Sequence, residues 1–150
     1  MERKRKLRIC IALLILNILF IWGNSLLPGS VSGAFSKFVR DVLATFFPGG
    51  GEDPQAGHGL LRKMAHFTEF ACLGGLLCWF FHMLKKPVWT AFLCGVLVAS
   101  ADETIQVFVP NRGPSIRDVG IDSAGVILGM ILLLVGYAIR RKRAMEDTKL

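Results

Sequence analysis

The sequence predicts an all-α integral membrane protein, a four-transmembrane-helix bundle with an amphipathic helix in its outer loop. Three observations carry that expectation. The 150 residues are 53% hydrophobic and 19% charged, with mean hydropathy +0.51, whereas a soluble domain carries about a quarter charged residues. The charge sits in short blocks between long apolar stretches. Four of those stretches approach the roughly 20 residues that a helix needs to cross a hydrocarbon core. A net charge of +7 would also suit a nucleic-acid binder, but such a protein spreads its excess Lys and Arg over a wetted face. No nucleic-acid partner is expected, and the length suits one domain over residues 1–150.

The first span runs from Ile9 to Leu27, behind Arg3, Lys4, Arg5, Lys6 and Arg8. A cleaved leader is the alternative there, since Val31-Ser32-Gly33 offers small residues at a cleavage-like spacing. The length of the run, with Trp22, Asn24 and Pro28 as an interfacial end, favours a retained anchor. The second span covers Met64 to Leu84 and stops at Lys85-Lys86-Pro87. The third runs from Val88 to about Val109, where Pro110 ends it, and the fourth from Asp118 to Ile139. Lys85-Lys86 is too short a connection to hold a domain, so spans two and three should form an antiparallel hairpin.

Positive charge is retained on the cytoplasmic side of a membrane, which sets the orientation. With both termini inside, the inner segments hold 12 of the 18 basic residues. The expected location is therefore the cell membrane, multi-pass, with both termini cytoplasmic.

The outer connection from Pro28 to Arg62 is the one long loop. Within it Phe35, Phe38, Val39, Val42, Phe46 and Phe47 recur at helical spacing between Ser36, Lys37, Arg40 and Asp41. That pattern suits a helix lying in the outer headgroup layer or across the bundle mouth. Pro48 to Pro54, with three successive glycines, reads as a linker.

An ionisable side chain at mid-bilayer costs at least about 2.5–3.5 kcal/mol on insertion scales, so each one asks for a reason. Span two carries Lys63, His66 and Glu69 at its outer start. Span three carries Asp102, Glu103 and Gln106 towards its outer end, followed by Pro110 and Arg112. Span four opens with Arg117, Asp118 and Asp122. Alternating helix direction brings all three sets to one depth. On span four, Asp118, Asp122, Gly125, Gly129 and Gly136 fall within about 60° of one another, and the glycines mark a face that another helix approaches closely. Gly95, Ala99, Asp102, Glu103 and Gln106 share an arc of about 100° on span three. On span two, Lys63, His66 and Glu69 spread over about 120°.

Four chemistries suit this cluster. Arg112, Arg117 and Lys63 could neutralise the acids as ion pairs that tie helix ends together. The same cations could grip a phosphate or carboxylate while the acids accept hydroxyls. General acid–base catalysis would draw on His66, Glu69, Asp102 and Glu103, with His66 and Glu69 or Glu103 moving the proton. A metal held by His66, Glu69, Asp102 and Glu103, supported by Gln106, is the fourth. No HExxH or comparable ligand spacing appears, so neither metal nor cofactor is expected.

These residues resemble three blocks of the VanZ-like family of bacterial membrane proteins, named for a member linked to resistance to the glycopeptide teicoplanin. Arg62-Lys63-Met64-Ala65-His66-Phe67-Thr68-Glu69-Phe70 is similar to the family's K-x-x-H-F-x-E-Y, with Phe70 for the usual Tyr. Asp102-Glu103-Thr104-Ile105-Gln106, then Pro110-Asn111-Arg112, resembles D-E-x-x-Q followed by P-G-R, with Asn111 for Gly. Arg117-Asp118-Val119-Gly120-Ile121-Asp122-Ser123-Ala124-Gly125 resembles the last block, where Asp122 stands at a position that is often Asn. Asp122 thus adds a carboxylate that alters ligand preference or pairs with Arg117. The resemblance implies an envelope protein meeting lipids, lipid-linked cell-wall precursors or the glycopeptide at its outer face. The alternative is a membrane-embedded hydrolase or transferase acting on a lipid head group. The expected ligand-contacting residues are Lys63, His66, Glu69, Asp102, Glu103, Gln106, Arg112, Arg117, Asp118 and Asp122.

The remaining polar residues carry less. Cys10, Cys72, Cys78 and Cys94 lie in apolar spans without a CxxC pair, which indicates packing rather than disulfides. His82 and His58 read as interfacial or solvated, and Trp22, Trp79 and Trp89 fall near span ends.

Overall fold

The computed structural model describes residues 1–28, 54–110, 112–113 and 115–147. Four helices account for nearly all of them: α1 (Glu2–Leu26), α2 (Pro54–Met83), α3 (Val88–Gln106) and α4 (Ile116–Asp147). Each contains a segment long and apolar enough to cross a membrane, so the chain is an all-helical, multi-pass membrane protein. The outer-loop helix expected around Phe35 to Phe47, and the linker up to Asp53, lie outside the described residues.

Most helices outrun their apolar stretches. α1 begins at Glu2 rather than near Ile9, and α4 continues through the basic run to Asp147 rather than stopping at Ile139. Lys, Arg, Glu and Ala are good helix formers, so the backbone stays helical after the apolar pattern has ended. α2 starts at Pro54 instead of Met64, with proline at the first helical position, where its missing N–H leaves no bond unmade. His58, expected in a linker, therefore sits on the helical backbone of α2. α3 does the opposite and stops at Gln106, short of Val109. The N–H groups of Phe108 and Val109 turn back to the carbonyls of Ile105 and Gln106, each at 3.1 Å. Pro110 follows at once, and a proline disfavours helical geometry in the residue before it.

The α2–α3 hairpin turns on Lys85, whose φ of 57° makes it the one left-handed non-glycine residue among those described. The Lys86 N–H donates to Phe81 O at 2.9 Å and the Lys85 N–H to His82 O at 3.0 Å. That pair of bonds is a Schellman cap, in which glycine usually holds the left-handed position.

α2 and α4 form the tightest helix pair. A Cβ placed on Gly129 would lie 1.8 Å from Ala71 O, and one on Gly125 would lie 2.5 Å from Phe67 O. From the other side, a Cβ on Gly74 would lie 2.1 Å from Val126 O. Small residues on both helices thus let the backbones meet, as expected for Gly125 and Gly129. Gly136 differs from that expectation: nothing lies within 4 Å of its would-be Cβ. α3 joins the pair by seating Val126 in the space over Gly95. Phe70 is fully buried against this seam, so the position where a tyrosine hydroxyl is usual is here part of the core.

α1 packs through Cys10, Leu14, Ile21 and Ser25, while Leu16, Leu19 and Phe20 remain exposed for lipid. The Arg3 guanidinium donates to Met83 O at 2.6 Å, and the His82 and Tyr137 rings lie 4.8 Å apart. Both contacts bring the start of α1, the end of α2 and the last third of α4 to one end of the bundle, beside Lys85 and Lys86. Glu69, Asp102, Glu103, Asp118 and Asp122 gather at the opposite end.

Candidate functional site

At that opposite end every helix contributes a buried or half-buried polar side chain. α3 forms the floor. Its inward stripe of Ala91, Gly95 and Ala99 continues into Asp102, Glu103 and Gln106, all buried. Gln106 lies three and four residues beyond the two acids, the spacing at which helical side chains meet. Its Nε2 donates to Asp102 Oδ2 at 2.9 Å and to Glu103 Oε1 at 3.1 Å.

α1 reaches into the same network. Ser25 Oγ donates to Asp102 Oδ2 at 2.7 Å and lies 3.4 Å from Gln106 Nε2. Asn24 Nδ2 donates to Glu69 Oε1 of α2 at 2.8 Å. Neither residue was expected in the site, because polar residues closing an apolar span read equally well as a headgroup anchor.

The α3–α4 connection closes the ring. The Ser115 N–H, immediately before α4, donates to Glu103 Oε2 at 2.7 Å, and Ser115 O receives the Asp118 N–H at 2.9 Å. Glu103 therefore caps the positive end of a helix other than its own. Arg112 Nη2 donates to Asn24 O at 2.9 Å. Its Nε and Nη1 are buried without a partner, and among the described residues no carboxylate forms an ion pair with it. Burial first, and then the nearby Arg62 guanidinium, pull Arg112 below the ordinary arginine pKa, against the opposing pull of Asp102, Glu103 and Glu69.

Among the described residues the ion-pair expectation is met at one place. Lys63 Nζ lies 3.5 Å from Asp118 Oδ1, with the lysine 45% exposed, a pair that contributes little to stability. Arg117 differs from the expectation: it is exposed on the first turn of α4 and, among the described residues, forms an ion pair neither with Asp122 nor with any other acid. Asp122 is instead 2% exposed, and its Oδ2 has no hydrogen-bond partner. Glu69 Oε2 and Asp102 Oδ1 are unpartnered as well.

Arg62, Lys63, His66, Glu103, Gln106, Asp118, Ile121 and Asp122 line a recess with room for about one water-sized particle. Of the expected residues, Lys63, His66, Glu103, Gln106, Asp118 and Asp122 face this recess directly. Asp102 lies just beneath, with Oδ2 at 3.9 Å from His66 Nδ1. Glu69 and Arg112 join through Asn24. Beside the recess an apolar groove runs along α2 and α4, lined by Phe67, Ala71, Cys72, Gly75, Leu132 and Leu133 among others.

Chemically, the arrangement offers two kinds of contact. Unpartnered guanidinium nitrogens suit an anion, and unpartnered carboxylate oxygens suit a cation or hydroxyl donors.

A family model described as VanZ/LLP1 matches residues 9–137 of the chain, which takes in α2, α3, most of α1 and α4, and the whole polar cluster. No curated protein and no solved structure matches.

Proposed function

The chain belongs to the VanZ/LLP1 family, and from that premise we propose that it is an envelope protein binding the anionic head group of a lipid or lipid-linked cell-wall precursor. The observation that carries this reading is Arg112, half-buried at the polar end with Nε and Nη1 unpartnered and with no carboxylate ion pair among the described residues. A guanidinium with two nitrogens free donates charge-assisted hydrogen bonds to a phosphate or carboxylate. The recess itself has room only for a water-sized particle, so the head group sits at the rim, over Arg62 and Lys63, and reaches in to the buried free nitrogens of Arg112. Ligand hydroxyls then meet Asp118 and Glu69. The apolar groove beside the rim supports a lipid over a soluble anion, because it offers an acyl chain a place next to the head group.

On this reading the polar end faces outward. The basic run behind α1, Lys85-Lys86 and the run from Arg140 to Arg143 then lie in the cytoplasm with both termini. Reporter fusions at each terminus test that orientation, and a periplasmic or extracellular signal from either contradicts it. A part in glycopeptide susceptibility follows as an extension: expression in a sensitive host should shift its response to teicoplanin, and no shift removes that extension.

A hydrolase or transferase acting on the head group is the second reading. Glu103 suits it poorly, since both its oxygens accept protein hydrogen bonds. Glu69, with Oε2 unpartnered, is the better proton carrier beside His66. The test for binding is mass spectrometry of the protein extracted in native membrane without detergent. A stoichiometric anionic lipid or precursor supports the proposal; bulk lipid in membrane proportions contradicts it. Conversion of that lipid on incubation selects the enzyme.

A further inference from the structure

Beneath the rim lies a second arrangement, of opposite character. One ligand atom each from His66, Asp102 and Asp122 lies within 4.8 Å of the other two, and the three residues come from α2, α3 and α4. Asp102 is 0% exposed with Oδ1 unpartnered, and Asp122 is 2% exposed with Oδ2 unpartnered. Asp122 and His66 both line the water-sized recess. We propose that these three side chains bind a single divalent transition-metal cation of the Zn²⁺ or Mn²⁺ class.

Charge points the same way. Around the recess, Glu69, Asp102, Glu103, Asp118 and Asp122 outnumber the basic Arg62, Lys63 and Arg112. A buried surplus of carboxylates is costly unless something neutralises it, and one divalent cation makes up the difference. The fit extends to the residues behind the ligands. Ser25 and Gln106 both donate to Asp102 Oδ2, at 2.7 and 2.9 Å, which holds the carboxylate beside His66, and Oδ1 has no partner to compete with a metal. Such outer donors are the usual support of a ligating carboxylate.

An imidazole with two carboxylates favours first-row transition metals over Mg²⁺ or Ca²⁺, which prefer all-oxygen cages. Bonds of about 2.0–2.2 Å place ligand atoms about 3.0–3.6 Å apart, so the side chains would close in by about 1 Å on the metal, and exogenous ligands complete the coordination. Sequence spacing could not show this set, because no two of its members share a helix.

The experiment uses tag-free protein, stripped with chelator and titrated with ZnCl₂, MnCl₂ or MgCl₂ by calorimetry, with no added lipid. The outcome is therefore independent of the head-group reading. The expected result is one equivalent of Zn²⁺ or Mn²⁺ per chain, a raised thermal midpoint, and Mg²⁺ bound far more weakly. Asp122→Asn and His66→Gln should each weaken binding by about tenfold or more, while Arg117→Gln and His82→Ala leave it unchanged. Asp122→Asn keeps the side-chain volume and removes a buried charge, so it retains the fold even if His66→Gln does not. No saturable binding by the wild type, equal affinity for Mg²⁺, or undiminished binding by Asp122→Asn overturns the proposal.

Discussion

Ser25 and Asp102, 77 residues apart and both fully buried, are joined by a 2.7 Å hydrogen bond in which the serine hydroxyl donates to the carboxylate. The outer end of α1 is thereby part of the polar cluster as well as a membrane anchor. Removing the hydroxyl leaves Asp102 Oδ2 with Gln106 as its hydrogen-bond donor. Ser25→Ala should cost about 1–3 kcal/mol, seen as a lower thermal midpoint of the solubilised protein. Combined with Asp102→Asn the losses should be less than additive, because the two side chains share one interaction. Additive losses would place Ser25 outside the network.

Gly129 and Gly136 lie on the same face of α4, yet a side chain at each meets different surroundings. A methyl at Gly129 would lie 1.8 Å from Ala71 O, whereas at Gly136 nothing is within 4 Å. Gly129→Ala should force α2 and α4 apart and cost about 1–3 kcal/mol. Gly136→Ala should be neutral, or stabilising by up to about 1 kcal/mol through helix propensity. Thermal unfolding of the two variants checks the contrast, and equal effects would contradict the close α2–α4 seam.

Lys85 holds a left-handed conformation that glycine adopts without steric cost. Lys85→Gly should therefore stabilise the protein by about 1 kcal/mol. Lys85→Ala keeps the Cβ and should show no such gain. The lysine supplies positive charge at the basic end, so the expectation is a strained turn retained for orientation. If Lys85→Gly fails to raise the midpoint, the turn is not strained.

Much of this architecture is legible in the residues alone, for physical reasons that differ by element. Hydropathy locates Ile9, Met64 and Val88 within helices because lipid contact demands apolar side chains. It does not locate helix ends such as Glu2 or Asp147, where Lys, Arg and Glu prolong the backbone in water. The inward stripe of α3 was readable because Asp102, Glu103 and Gln106 contrast with their surroundings. α1 lacks that contrast. Its buried stripe of Cys10, Leu14, Ile21 and Ser25 is nearly as apolar as its lipid face, so the phase placing Ser25 inward was masked. Had that three-and-four spacing been extended from Cys10, it would have pointed to Ser25. Arg112 and Arg117 look alike as charges in sequence; only the turn after Gln106 separates the half-buried guanidinium from the exposed one.

That separation supplies the most direct test of head-group binding. Lipid retained by detergent-free preparations is to be quantified by mass spectrometry for the wild type, Arg112→Ala and Arg117→Ala at matched protein levels. The expected result is a bound anionic lipid or precursor in the wild type and in Arg117→Ala, and its loss from Arg112→Ala. Equal retention by Arg112→Ala and the wild type would contradict an anion site at the rim.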